Sequence, residues 1–263
     1  MTAPCQLTLA SVRFYGPRVS NGYPFRDRPP TARELSRLIL ALSTYRDGSG
    51  QQVAAGRSQP GWRDFERAVA SALGGETPEN KGVFDVVLPV DAGYPYGLSL
   101  KTSVAKSGFV LMELHNSLAK ATAWLNERGV NPRTDPALAG PLLIDQVRSW
   151  HQALGEEIDT DNSSYLVLTH DRAWRDFQIS WFSLDVHHPD PSMMAWAHTG
   201  RRIHASYGGH QYWEWYGESG GQLKYYPPLS LALWVSDPFQ LLDPPDEETP
   251  ILKAQRYWPD AFS

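Results

Sequence analysis

A chain of 263 residues that is 41% hydrophobic and 20% charged has the composition of an ordinary soluble protein with room for a substantial core. No apolar run approaches the roughly 20 residues of a membrane-spanning helix, so we expect no membrane association. The only cysteine, Cys5, cannot form an internal disulfide, and the first residues do not resemble a secretory signal. We therefore expect a reducing, cytoplasmic environment.

The charge of the chain is unevenly distributed. The net charge is -5, but residues 1–67 hold ten arginines, five acids and no lysine. Because the arginine fork makes bidentate contacts with phosphate and guanine, this segment is compatible with a nucleic-acid partner. A solvated basic face is an equally good interpretation.

The N-terminal part predicts an arm and two helices. Residues 1–30 are rich in Pro, Gly and Arg and are interpreted as an irregular arm. Thr31 and Glu34 form a capping-box pattern before an amphipathic helix that should end near residues 47–50. A second helix is predicted from Trp62 to Leu73, with Glu66 beside its apolar stripe.

The next segment predicts a hairpin and a long helix. Residues 83–88 and 96–103 are strand-like, and the turn-like segment 91–95 joins them. Apolar residues at spacings of three and four then predict an amphipathic helix over 108–128.

The rest of the chain completes the predicted fold: an α/β protein with a central mixed sheet flanked by helices. We expect a helix over 142–154, sheet strands over 165–169 and 177–182, a glycine-hinged hairpin over 212–226, and an acidic surface tail or subunit contact over 237–263. The aromatic residues of the hairpin over 212–226 could stack on bases or sugars, but core packing is the better expectation. A zinc site at His187 and His188 is not favoured, because neighbouring strand residues point to opposite faces.

Three polar residues of the predicted hairpin indicate chemistry. Asp85 lies on the first strand, and Ser99 and Lys101 point to one face of the second. Burying either the aspartate or the lysine in such an apolar region would be costly unless the charge had a partner or a ligand. Carboxylates that hold a hard cation, with a lysine near the attacking water, are what phosphodiester hydrolysis needs.

The arrangement resembles the PD-(D/E)XK nuclease superfamily, in which an Asp on one strand precedes an acid-x-Lys motif on the next. Here Phe84 replaces the usual proline, and Ser99 stands where the second acid normally does. A rearranged subgroup of restriction endonucleases carries this Ser-x-Lys pattern and takes its second acid from the following helix. By that resemblance the second acid is Glu113, and Glu66 is an auxiliary acid. The resemblance covers about residues 60–130.

The resemblance implies a restriction-endonuclease-like fold and a type II enzyme that cuts double-stranded DNA with Mg2+ and leaves 5′-phosphates. It implies a homodimer at a palindromic site. Asp85, Glu113 and the Leu100 carbonyl would bind Mg2+, and Lys101 would polarise the attacking water. The whole chain, 1–263, would form one nuclease domain, divided into an arm and helix (1–59), a catalytic core (60–185) and recognition or dimerisation elements (186–263). Candidate DNA contacts are Arg46, Arg57, Arg201, Arg202, His204 and Lys224.

Alternatives remain open. Asp91 is a rival for Asp85, although its Asp-Ala-Gly context is typical of a turn. A DNA-binding or modified-base-binding module without catalysis would also explain the departure at Ser99. Mg2+-dependent cleavage distinguishes the nuclease from this module. A carbohydrate-binding protein that uses the aromatic residues is a third possibility, and it predicts no effect of DNA on thermal stability.

Overall fold

The computed structural model describes residues 22–53, 58–78, 83–115, 117–185, 189–217, 220–243, 250–257 and 259, and these form a mixed α/β structure. The helices are α1 (Ala32–Thr44), α2 (Trp62–Leu73), α3 (Leu118–Asn126), α4 (Pro136–Gln152) and α5 (Pro250–Tyr257). The strands are β1 (Gln51–Gln52), β2 (Ser58–Gln59), β3 (Val86–Leu88), β4 (Tyr96–Val104), β5 (Met112–His115), β6 (Ser164–His170), β7 (Phe177–Ser183), β8 (Ala195–Thr199), β9 (Arg202–Tyr207), β10 (His210–Trp215), β11 (Leu223–Tyr225) and β12 (Trp234–Val235).

The predicted central sheet is mixed and has the strand order β12-β7-β6-β4-β3. Strands β3 and β4 form the expected antiparallel hairpin, with Val86 opposite Leu98. Strand β4 is parallel to β6, and the chain between them runs through β5, α3 and α4, because parallel neighbours need a long crossover. The strands predicted around 165–169 and 177–182 are confirmed as β6 and β7.

A second sheet is antiparallel and has the order β5-β11-β10-β9-β8. Its β10–β11 pair confirms the glycine-hinged hairpin. Trp213 and Tyr225 face each other across this pair with ring centroids 4.4 Å apart, and both are buried. For these two rings, the core-packing interpretation of the aromatic hairpin is therefore confirmed.

The two faces of the central sheet pack into separate cores. Leu98 and Leu100 of β4 pack in the same cluster as Phe65 of α2. Tyr165 and Val167 of β6 belong to the opposite cluster, which includes buried residues of α3, α4 and the second sheet. Because side chains alternate along a strand, Ser99 and Lys101 of β4 point towards this second core.

Helix α1 begins where the sequence predicts but ends at Thr44, before the predicted residues 47–50, whereas α2 begins and ends as predicted. The backbone N–H of Glu34 donates to the Thr31 hydroxyl, and the Glu34 carboxylate accepts from the Thr31 N–H, which completes the capping box. Helix α2 ends at Gly74, whose left-handed φ of 76° favours glycine. Trp62, in contrast, begins α2 with 53% of its surface exposed and is not part of the core.

The long helix predicted over 108–128 is wrong. Residues 112–115 form β5, and α3 begins only at Leu118, where the Ser117 hydroxyl accepts from the Lys120 N–H. The apolar spacing arises from a short strand followed by a helix, because each buries one face in the same core. Pairing of β5 with β11, a partner about 110 residues away, overrides the local helical period.

Other parts of the chain differ less from expectation. Helix α4 begins at Pro136, earlier than the predicted 142. Within the expected irregular arm, residues 1–21 lie outside the described ranges, whereas Phe25 is fully buried and so belongs to a packed element. In the expected acidic tail, Phe239 bridges to Phe177 of β7. None of the described helices combines the length and hydropathy needed to span a bilayer.

Candidate functional site

The β3–β4 hairpin places Asp85, Ser99 and Lys101 together. Asp85 immediately precedes β3, and its backbone N–H donates to the Leu98 carbonyl at 3.0 Å. The register of Val86 with Leu98 places Asp85 opposite Ser99. These side chains therefore share the face of the sheet directed to the α3 and α4 side.

The three side chains contact one another directly. Asp85 Oδ2 accepts from the Leu100 N–H at 2.6 Å and from the Ser99 hydroxyl at 3.4 Å. Lys101 Nζ donates to Ser99 Oγ at 3.0 Å and lies 3.7 Å from Asp85 Oδ2. The serine thus holds the ammonium beside the carboxylate, and both charged side chains are only partly exposed, at 19% for Lys101 and 27% for Asp85.

Glu66 of α2 joins this cluster electrostatically. Its pKa is raised to about 7, first by burial and then by the negative charge of Asp85, while the Lys101 ammonium opposes the rise. Glu66 has no hydrogen-bond or ion-pair partner among the described residues. A carboxylate whose pKa is raised by burial and by a neighbouring charge is a candidate functional residue.

The structure places Glu113 away from these residues. It lies on β5 rather than on a helix, directly opposite Lys224 of β11, which is itself opposite Glu214 of β10. The neighbours of this row, including Met112 and Tyr225, point into the core. Glu113 therefore faces the outer side of the second sheet, and its assignment as a metal ligand stays a prediction that the geometry does not favour.

A cavity of about 430 Å³ opens beside the cluster. Its wall includes Asp85, Ser99 and Lys101 together with residues that sequence reasoning did not single out: Leu114, Lys120, Val147, Trp150, His151, Leu154 and Tyr165. These residues come from β5, α3, β6, and α4 with the turn that follows it, which are distant in sequence, so no local pattern could have indicated them.

His151 is held in the cavity wall by aromatic rings. It stacks on Phe84 at 5.6 Å and meets the edge of Tyr165 at 5.9 Å. Burial, with a smaller contribution from the Lys101 charge, lowers the pKa of His151 to about 4. The imidazole is therefore neutral at pH 7. Phe84, which occupies the position of the proline in the nuclease motif, stacks against this ring.

Few oxygen atoms of the cluster are candidates for binding a hard cation. The described residues contain no cluster of three or more His, Cys, Asp or Glu side chains that could hold a metal ion. Magnesium, however, is usually bound through one or two carboxylates, with waters and substrate phosphate completing its shell. Asp85 and Glu66 are the two carboxylates that could serve in this way. The Leu100 carbonyl is a candidate third ligand, because the Leu100 N–H already points to Asp85 and antiparallel strand geometry directs both groups to the same side.

The candidate DNA contacts lie on two surfaces. Arg202 of β9 and Lys224 both approach the Tyr216 ring, at 5.2 and 4.3 Å. Arg202 also pairs with Glu214 at 2.7 Å. His204 lies opposite Glu214 in the register, and Arg201 immediately precedes β9, so four of the six candidates occupy one region of the second sheet.

The other DNA-contact candidates are separate. Arg46 donates to the Leu241 carbonyl at 2.6 Å and pairs with Asp243 at 2.7 Å, so it anchors the C-terminal segment. Arg57 lies outside the described residues, as do His187 and His188. The rival Asp91 is exposed in the turn between β3 and β4, as its sequence context predicts.

Comparisons of the chain with family models, with curated proteins and with solved structures find no match.

Proposed function

We propose that the chain is a Mg2+-dependent endonuclease that hydrolyses phosphodiester bonds in DNA, with a restriction-endonuclease-like core. One observation carries the proposal: the hairpin presents Asp85, Ser99 and Lys101 in mutual contact, with the half-buried Glu66 coupled to them. These residues supply carboxylates that can bind a hard cation and an ammonium group that can orient the attacking water, all at one edge of the sheet.

Glu66 replaces Glu113 in this proposal as the second acid. Its raised pKa means that cation binding would displace a proton, and binding should therefore strengthen as the pH rises. Asp85 and Glu66 would hold Mg2+ together with the Leu100 carbonyl. When bound, the ion lowers the pKa of coordinated water and offsets the charge of the phosphate.

The residues of the chain perform the remaining steps. Lys101 orients the attacking water and stabilises hydroxide near the scissile phosphate, since a positive charge favours the deprotonated form. Ser99 keeps the ammonium from collapsing onto Asp85, because its hydroxyl accepts from Lys101 at 3.0 Å and the carboxylate lies farther, at 3.7 Å. Asp85 is fixed in turn by the Leu100 N–H.

Double-stranded DNA with a palindromic site remains the proposed substrate, and a homodimer the proposed assembly, because a two-fold enzyme matches a two-fold site. The basic side chains on the second sheet, Arg201, Arg202, His204 and Lys224, are the proposed DNA contacts. Arg46 is not included, because its guanidinium already binds the C-terminal segment.

Digestion of phage DNA, methylated and unmethylated, tests this function. The wild-type protein should give discrete fragments with Mg2+ and none with EDTA. Lys101→Ala should slow cleavage at least about 100-fold while DNA binding stays intact. Lys106→Ala, an exposed lysine beyond the same strand, is the matched control and should cut normally.

A second pair of variants tests the acid. Asp85→Asn should abolish cleavage, whereas Asp91→Asn should leave it unchanged, because Asp91 is exposed in the turn. Near wild-type cleavage by Lys101→Ala or Asp85→Asn would refute the proposed site. Binding of DNA without cleavage in any Mg2+ condition would instead favour a non-catalytic binding module.

A further inference from the structure

Lys120 brings an unbalanced positive charge to the cavity. Lys101 is offset by Asp85, but Lys120 has no acidic partner among the described residues, and its ammonium lies 5.6 Å above the Trp150 ring. Among the charged side chains of the cavity wall, Asp85, Lys101 and Lys120, the net charge is therefore positive. Such a wall favours an anionic ligand.

Tyr165 adds a hydrogen-bond donor that no other described residue uses. The residue is only 2% exposed and lines the cavity, yet its hydroxyl has no hydrogen-bond partner in the described part of the chain. Leaving a buried hydroxyl unpaired costs about 1–3 kcal/mol, so its retention needs a reason. Its interaction with the charge of Asp85 places the hydroxyl in the neighbourhood of the proposed catalytic cluster.

Part of the wall is apolar, and the space exceeds what a lone phosphate needs. Leu114, Val147, Trp150 and Leu154 contribute this surface. A volume of about 430 Å³ lies in the range of small-molecule pockets, which combine an apolar lining with a few placed polar groups. Trp150 is half-buried and offers an aromatic surface. The cavity thus combines features suited to a phosphate with features suited to a sugar and base.

We propose that this cavity binds one nucleotide unit of the substrate strand, with its phosphate paired to Lys120, an oxygen atom accepting from the Tyr165 hydroxyl and its base against Trp150. The inference rests on the proposed function and deepens it. A base inside a protein cavity cannot remain paired within a duplex, so the enzyme would act on a nucleotide turned out of the helix or on an unpaired strand.

Binding of thymidine 5′-monophosphate, inorganic phosphate and thymidine to the metal-free protein in EDTA tests the site without any cleavage. Ligand-observed NMR or calorimetry should show the nucleotide binding at least about tenfold more tightly than either fragment, because one site engages both parts. Lys120→Met should weaken nucleotide binding about tenfold and Tyr165→Phe roughly fivefold, through loss of a charged and a neutral hydrogen bond.

Two further variants separate the parts of the site. Trp150→Leu should weaken the nucleotide and leave phosphate unchanged, and Lys106→Met, an exposed lysine outside the cavity, should change neither. Because Tyr165→Phe removes only an unpaired hydroxyl, it should fold at least as stably as the wild type, so a loss of binding in this variant cannot be ascribed to unfolding.

The outcomes separate this inference from the proposed function. A protein that cuts DNA but binds nucleotide no better than phosphate, or whose Lys120→Met and Tyr165→Phe variants bind normally, overturns the nucleotide site and leaves the nuclease intact. A protein that shows the expected binding series but never cuts DNA retains the site and loses the nuclease. Absence of nucleotide binding at millimolar concentrations overturns the site in either case.

Discussion

Glu66 should destabilise the metal-free protein at alkaline pH, and Glu66→Gln should relieve that cost. The pKa of Glu66 is raised from 4.5 to about 7 in the folded chain, chiefly by burial and next by the charge of Asp85. Between these two values the folded chain keeps a proton that the unfolded chain has released. The free energy of unfolding therefore falls as the pH rises through this window, and the whole cost is present above pH 7.

The size of the effect follows from the shift. At 1.36 kcal/mol per pKa unit the full shift corresponds to roughly 3 kcal/mol. Since Glu66 keeps partial contact with solvent, screening reduces this figure, and we expect about 1.5 kcal/mol. Glutamine matches the protonated acid in shape, so Glu66→Gln should equal the wild type near pH 3.5, below both pKa values, and exceed its stability by about 1.5 kcal/mol at pH 8.5.

Urea unfolding at both pH values, in EDTA, measures this difference, and Glu156→Gln at an exposed position is the control. Comparison of each variant with wild type at the same pH cancels the titration of His115 and His151, whose pKa values burial lowers to about 4. Mg2+ at ten times its dissociation constant should then stabilise the wild type by ~1.4 kcal/mol at pH 8.5, and Glu66→Gln by less. An equal Glu66→Gln effect at the two pH values would refute the raised pKa of Glu66.

Two further predictions concern the second acid and the packing of the crossover. Glu66→Gln should reduce Mg2+-dependent cleavage at least about 100-fold, whereas Glu113→Gln should reduce it less than about threefold, because Glu113 faces the outer side of the second sheet. A cleavage time course measures both effects. A larger loss in Glu113→Gln than in Glu66→Gln would restore Glu113 as the metal ligand. Gly140→Ala should lower the free energy of unfolding in urea by about 1–3 kcal/mol, since a Cβ there would meet the Trp196 ring at 2.2 Å. The control Gly155→Ala, whose Cβ would have its nearest neighbour at 3.3 Å, should change stability by less than about 0.5 kcal/mol. Equal effects would show that the contact between α4 and β8 adjusts to the added methyl group.

The sequence predicts those parts of the fold that local chemistry determines. Thr31 and Gly74 carry their capping signals in the residues themselves, and the β3–β4 hairpin follows from two strand-like runs around a turn. The helix predicted over residues 108–128 is wrong because a strand and a helix that pack into one core together produce the same helical spacing of apolar residues. Only the distant partner β11 decides between them, and no window of the sequence contains that partner.

The same distinction separates the two halves of the candidate site. Asp85 and Lys101 lie 16 positions apart on one hairpin, so their proximity is a local property, and Glu66 precedes them on the helix that packs against that hairpin. Lys120, Trp150 and Tyr165 reach the cavity only through the crossover from β4 to β6. If the hairpin performs hydrolysis and the crossover binds the nucleotide, variants of the first should lower the rate of the chemical step, and variants of the second should first weaken substrate binding. Because both groups line one cavity, a substitution such as Lys120→Met should raise KM with little change in kcat, while Lys101→Ala should lower kcat with little change in KM.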